Sequence, residues 1–126
     1  MKILVAEDEP MLLKTIELKL KKEGYEVVST SDGREAAAKI EETDPDLVIT
    51  DIMMPYVSGL ELVSLLRKRV HKRVPVIMLT AMEQEKVVME AFELGADDYI
   101  TKPFSLNELA IRVKKLVAQI ARNNQA

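Results

Sequence analysis

The sequence predicts an α/β domain, a doubly wound parallel sheet of five strands with five helices covering its two faces. Two observations predict it. Short runs rich in β-branched residues alternate with helical patterns five times, the order that builds right-handed βαβ units. The first, third and fourth of those runs are apolar nearly throughout, as strands covered on both faces must be.

The elements follow in order. Ile3 to Ala6 is the first strand, and Leu12, Ile16 and Leu20 mark the helix after it. Pro10 suits that helix's opening turn and Gly24 its C-terminal cap. Glu26 to Ser29 forms the second strand, and Ala36, Ala37 and Ile40 mark a shorter second helix. The third strand is Leu47 to Thr50; the third helix starts near Gly59 and carries Leu62, Val63, Leu66 and Val70. Val76 to Thr80 is the fourth strand, before a helix with Val87, Val88 and Ala91 that stops at Gly95. After a fifth strand at Tyr99 to Thr101, Ser105 caps the clearest helix, through Leu106, Leu109, Val113, Leu116, Val117 and Ile120. The pattern fades from Ala121, so one domain is expected over residues 1–121, with 122–126 as a tail or the start of a linker.

The 126 residues fit a single domain, and 48% hydrophobic residues argue against disorder. Eighteen basic against 21 acidic residues leave a net charge of −3, which argues against direct nucleic-acid binding by this domain. No cysteine is present, so disulfides, thiolate metal sites and cysteine nucleophiles are excluded. His71 is the single histidine, which excludes a site built from several imidazoles. No apolar run approaches the ~18 residues of a membrane helix, and the apolar start Ile3 to Ala6 is shorter than the about 7–15 residues of a secretory signal. A cytoplasmic protein that does not enter a membrane is expected.

Ligands of such sheets bind beyond the carboxyl ends of the strands. There the chain places Glu7, Asp8 and Glu9 after strand one, Asp51 after strand three, Thr80 at the end of strand four and Lys102 after strand five. Singly, each is an ordinary solvated loop, cap or strand-end residue; together, carboxylates, a hydroxyl and an ammonium converge on one end of the sheet. Clustered carboxylates repel one another without a cation, and hard oxygen donors select Mg²⁺ or Mn²⁺. This set suits phosphoryl transfer to a carboxylate. Asp51 is the better nucleophile because it ends the central apolar strand before the loop Ile52-Met53-Met54-Pro55. Thr80 and Lys102 are placed to hold phosphoryl oxygens, by hydrogen bond and by charge.

Glu7-Asp8, Asp51 to Pro55 with Gly59 downstream, Thr80-Ala81, and Gly95-Ala96-Asp97-Asp98-Tyr99-Ile100-Thr101-Lys102-Pro103-Phe104 together resemble the receiver domain of two-component response regulators, over essentially the whole chain. The resemblance implies a flavodoxin-like sheet of order 2-1-3-4-5. It implies that Asp51 accepts phosphate from a phosphohistidine on a partner kinase or phosphotransfer protein. Asp8, Asp51 and the Met53 backbone carbonyl would coordinate Mg²⁺, with Glu7 reaching it directly or through water. Lys102 would pair with the phosphoryl group, and its bond to Pro103 would be cis.

Thr80 and Tyr99 match the family's signalling pair, which switches the face made by helix four, strand five and helix five. Such a domain catalyses only its own phosphorylation and dephosphorylation. Met53 and Met82 fall where receivers place side chains beside the phosphoryl group; being apolar they cannot orient an attacking water, which implies slow self-dephosphorylation, the alternative being that they only pack. The style of the motifs resembles receivers that feed winged-helix transcription factors and form homodimers through that face. Asp97, Asp98, Glu108 and Arg112 fit such a dimer, while Val88 stands where it calls for a basic partner.

Arg67, Lys68, Arg69, His71, Lys72 and Arg73 read as a solvated helix end whose cations complement the helix dipole, with a docking patch as the alternative. The rival function is a Mg²⁺-dependent phosphohydrolase with an aspartate nucleophile, of the haloacid-dehalogenase type. That chemistry needs two aspartates separated by one residue after strand one, whereas here Asp8 is followed by Glu9 and Pro10. A P-loop fails because the four glycines do not cluster.

Overall fold

The computed structural model describes residues 1–69, 71–81 and 85–124. Ten elements alternate along it: β1 (Lys2–Ala6), α1 (Pro10–Lys22), β2 (Glu26–Thr30), α2 (Gly33–Thr43), β3 (Leu47–Asp51), α3 (Gly59–Arg67), β4 (Val76–Ala81), α4 (Glu85–Leu94), β5 (Asp98–Lys102) and α5 (Leu106–Asn124). The strands form one parallel sheet in the order β2-β1-β3-β4-β5, as the resemblance implies. Each expected element is present, and every strand is longer by one residue at one end or both. Asp51 and Lys102 are therefore the last residues of β3 and β5. Val70, expected in the third helix, lies outside the described residues, and α5 continues to Asn124, beyond the point where the apolar pattern fades.

Alternation along the strands divides the core into two layers. Leu4, Ala6, Val48, Val76 and Met78 face α2, α3 and α4, where they pack with Ala36, Ile40, Leu62, Leu66 and Ala91. Ile3, Val5, Leu47, Ile49, Ile77, Leu79 and Ile100 face α1 and α5, meeting Ile16, Leu20, Leu109 and Val113. The three central strands bury both faces, which explains their unbroken apolar runs.

Helix ends are set by local chemistry. Asp32 accepts from the Glu35 amide at 2.8 Å, and Ser105 from the Glu108 amide at 3.0 Å. Ser58 and Glu61 form a capping box on α3. Gly24 and Gly95 follow α1 and α4 with φ of +98° and +113°, where a side chain would be strained.

In the basic segment 67–73, Arg67, Arg69, Lys72 and Arg73 are paired rather than merely solvated, contrary to the expectation, while Lys68 is exposed. Arg67 donates to the Gly95 carbonyl and to Asp97, both at 3.1 Å, and Arg73 pairs with Asp97 at 2.7 Å. Arg69 donates to the Ile40 carbonyl at 3.0 Å and pairs with Asp44; Lys72 pairs with Asp46 at 2.8 Å. These groups tie together the loops at the amino ends of the strands, the end of the sheet opposite Asp51.

Candidate functional site

The alternation that builds the α1/α5 layer also builds the site. Ile3 and Val5 are followed at the same parity by Glu7, Leu47 and Ile49 by Asp51, and Ile100 by Lys102. Three polar side chains thus continue three apolar rows just where the strands end. Glu7 is fully buried and Asp51 is 8% exposed. Lys102 Nζ lies 2.8 Å from Asp51 Oδ2 and 2.8 Å from Glu7 Oε1. The other Glu7 oxygen accepts from the Glu9 amide at 3.1 Å, which folds the β1–α1 turn around the carboxylate. Asp8 is exposed at the rim, and one oxygen from each of Glu7, Asp8 and Asp51 falls within 4.8 Å of the others.

Burial raises the Glu7 pKa, and the charge of Asp51 adds to the rise; the Lys102 ammonium beside it and the bond from the Glu9 amide offset it only in part. For Lys102, burial opposes the charge, yet Asp51 and then Glu7 outweigh it and the pKa rises. Of the three carboxylates, Glu7 and Asp51 are met by the one ammonium of Lys102. Among the described residues, Glu7 Oε1 has no hydrogen-bond partner of good geometry, although it lies at ion-pair distance from that ammonium. Hard, negatively charged and incompletely satisfied oxygens of this kind fit a divalent cation such as Mg²⁺.

The loop after β3 is held against this cluster. The Gly59 amide donates to the Ile52 carbonyl at 2.8 Å, and Thr50 Oγ1 to the Asp51 carbonyl at 2.9 Å. A Cβ at Gly59 would sit 2.3 Å from the Asp51 carbonyl oxygen, so glycine alone lets α3 start this close to the strand. Lys102–Pro103 is a cis peptide, as the resemblance implies.

A model of the response regulator receiver domain matches residues 3–114. The chain belongs to the response regulator receiver domain family. It is 42% identical over 116 residues to the alkaline phosphatase synthesis transcriptional regulatory protein PhoP of Bacillus subtilis (strain 168), covering 92% of this chain and 48% of that protein. The chain thus spans about half the length of that curated relative. Among solved structures, the receiver domain of the Francisella response regulator 1452 shares 38% identity, with a TM-score of 0.84 over 94% of this chain and 97% of that one. The chemotaxis response regulator CheY4 of Vibrio cholerae shares 31% identity, with a TM-score of 0.84 over 90% of this chain and 96% of its own.

In this receiver the remaining expected residues are more dispersed. Thr80 is buried and pairs in register with Thr101; it follows Met78 on the parity that faces α2, α3 and α4. Its hydroxyl donates to the Ala81 carbonyl at 3.1 Å. Tyr99 stands opposite Met78 in the ladder, 40% exposed, with its ring edge-on to Phe92 of α4 at 5.6 Å between centroids. Met53 is exposed on the loop after β3, and Met82 lies outside the described residues. Of the residues fitted to a dimer face, Asp98, Glu108 and Arg112 pair among themselves, Arg112 lying 2.6 Å from Asp98 and 3.5 Å from Glu108. Asp97 instead accepts from the Val76 amide at 2.8 Å and pairs with the basic segment, and Val88 is buried.

Sequence reasoning missed the contact between the start of α2 and the β3–α3 loop. The Arg34 guanidinium lies 4.1 Å over the Tyr56 ring, and Tyr56 has φ +72°. Only Gly33, the small residue opening α2, hints at so close an approach in the sequence.

Proposed function

We propose that this receiver takes a phosphoryl group from the phosphohistidine of a sensor histidine kinase, or of a phosphotransfer protein, onto Asp51. The Asp51 carboxylate attacks phosphorus, the bond to the histidine nitrogen breaks, and the donor keeps that electron pair. Glu7, Asp8, Asp51 and the Met53 carbonyl would hold Mg²⁺ or Mn²⁺, which when bound neutralises charge on the transferred group. Lys102, already on Asp51 Oδ2, exchanges part of that contact for the phosphoryl oxygens. The domain catalyses its own phosphorylation and dephosphorylation and turns over no separate substrate.

The added charge and acceptor oxygens draw the Thr80 hydroxyl, and the Tyr99 ring turns inward from its place against Phe92. The face of α4, β5 and α5 is thereby switched. Its output is transcription control, as the name of the relative PhoP suggests, with pairing of two copies through that face. Residues 1–121 form the working unit, with 122–126 as a tail or the start of a linker. The receiver itself binds no nucleic acid and works in the cytoplasm; among the described residues no helix is long and apolar enough to cross a membrane. The apolar Met53 and Met82 make the phosphoryl group long-lived.

The observation that carries this reading is one ammonium held 2.8 Å from both a buried glutamate and the aspartate that ends the central strand. Acetyl phosphate with Mg²⁺ is expected to label the protein with one hydroxylamine-sensitive phosphate, and Asp51→Asn to abolish it. Unchanged labelling of that variant sinks the assignment.

A further inference from the structure

The β3–α3 loop contains a strained residue that phosphate acceptance alone does not explain. Tyr56 has φ +72°, and across it the Val57 amide donates to the Pro55 carbonyl at 2.9 Å. This is the positive-φ form of the γ-turn, rare and unfavourable for a bulky side chain. Its surroundings enforce it. Arg34 stacks on the ring at 4.1 Å, and the Gly33 amide donates to the same Pro55 carbonyl at 3.3 Å. A Cβ at Gly33 would sit 1.6 Å from the Val57 carbonyl oxygen, so the start of α2 is pressed against the turn. Strain that neighbours hold in place beside a functional cluster points to a role in that cluster.

Met53 lies three residues before Tyr56. The loop is closed at its base by the bond from Gly59 to the Ile52 carbonyl, and gripped by α2 at Pro55, Tyr56 and Val57. Among the described residues, no backbone amide or side chain donates to the Met53 carbonyl itself. Its position therefore depends on how the rest of the loop is tied. We propose that the Arg34–Tyr56 stack is a positioning device for the Met53 carbonyl and so sets the affinity of the site for a divalent cation. The proposal rests on the metal reading above and adds two residues that touch neither ion nor phosphate.

Mg²⁺ titration of the unphosphorylated protein, followed by calorimetry and amide chemical shifts at fixed ionic strength, tests it. Tyr56→Ala and Arg34→Ala are each expected to weaken Mg²⁺ binding about two- to fivefold, the scale of an exposed cation–π pair. The double variant should be no weaker than either single one, and Tyr56→Phe, which keeps the ring, should bind like wild type. The sign for Arg34→Ala is diagnostic, because removing a nearby cation by charge alone tightens Mg²⁺ binding. Unchanged affinity in Tyr56→Ala, whatever its melting temperature, or tighter binding in Arg34→Ala overturns the proposal while leaving the metal site intact. A wild-type protein that takes up no Mg²⁺ overturns both.

Discussion

The two ends of the sheet use the same residue types to opposite effect. At the carboxyl ends of the strands, Glu7 and Asp51 share one ammonium with Asp8 close by, and burial raises the Glu7 pKa. At the amino ends, Asp44, Asp46 and Asp97 are met by Arg67, Arg69, Lys72 and Arg73, with His71 3.1 Å from Asp44. There the shifts run the other way. The His71 hydrogen bond, with the charges of Lys72 and Arg69, lowers the Asp44 pKa. For Asp46, burial is outweighed by the Lys2 amide and by Lys72, and the pKa falls. Matched charge holds loops together at one end, and at the other the carboxylates crowd around a single ammonium.

Lys102→Met is expected to be the harshest test, because it leaves buried Glu7 facing Asp51 with no cation. Urea denaturation in a chelator should show a loss of about 3 kcal/mol, the low end for a broken buried pair. Added Mg²⁺ should recover much of it; a loss indifferent to Mg²⁺ would break the contrast between the two ends. Asp97→Ala strips the buried Val76 amide and two arginines of their acceptor, and should cost about 2 kcal/mol. Asp51 labelling by acetyl phosphate should proceed at the wild-type rate in that variant, since the balanced end takes no part in the chemistry.

The mildest effect is expected from Asp46→Asn, at most about 1 kcal/mol because the group is partly exposed. The Asp46 pKa lies below its ordinary 3.8 in the folded state, so its contribution is present above that value and is lost as pH falls through the lowered one. Urea midpoints of wild type and variant should differ at neutral pH and converge in acid below about pH 4. A gap that widens in acid reverses the sign and removes Asp46 from the network.

The carboxyl end of the sheet was legible because its polar residues interrupt strong local patterns. Glu7, Asp51 and Lys102 each continue an apolar strand, and the alternation that predicts the strands also predicts where those side chains point. The opposite end was not legible. Arg67 and Arg73 meet Asp97 across 30 and 24 residues of chain, and a run of basic residues beside an irregular segment looks the same whether solvated or paired. Tyr56 was hidden for another reason, since nothing in its type signals a positive φ, and only the pressure of Gly33 and Arg34 puts it there. Likewise the outward Tyr99 ring depends on a contact with Phe92 that no periodicity announces.

The parity of the strand ends has one more consequence. Asp51 and Lys102 continue rows that face α1 and α5, whereas Thr80 continues a row that faces α4. The sheet is a partition with the row of Asp51 and Lys102 on one side and that of Thr80 on the other. A molecule seated against α1 and one seated against α4 therefore meet opposite faces of the sheet.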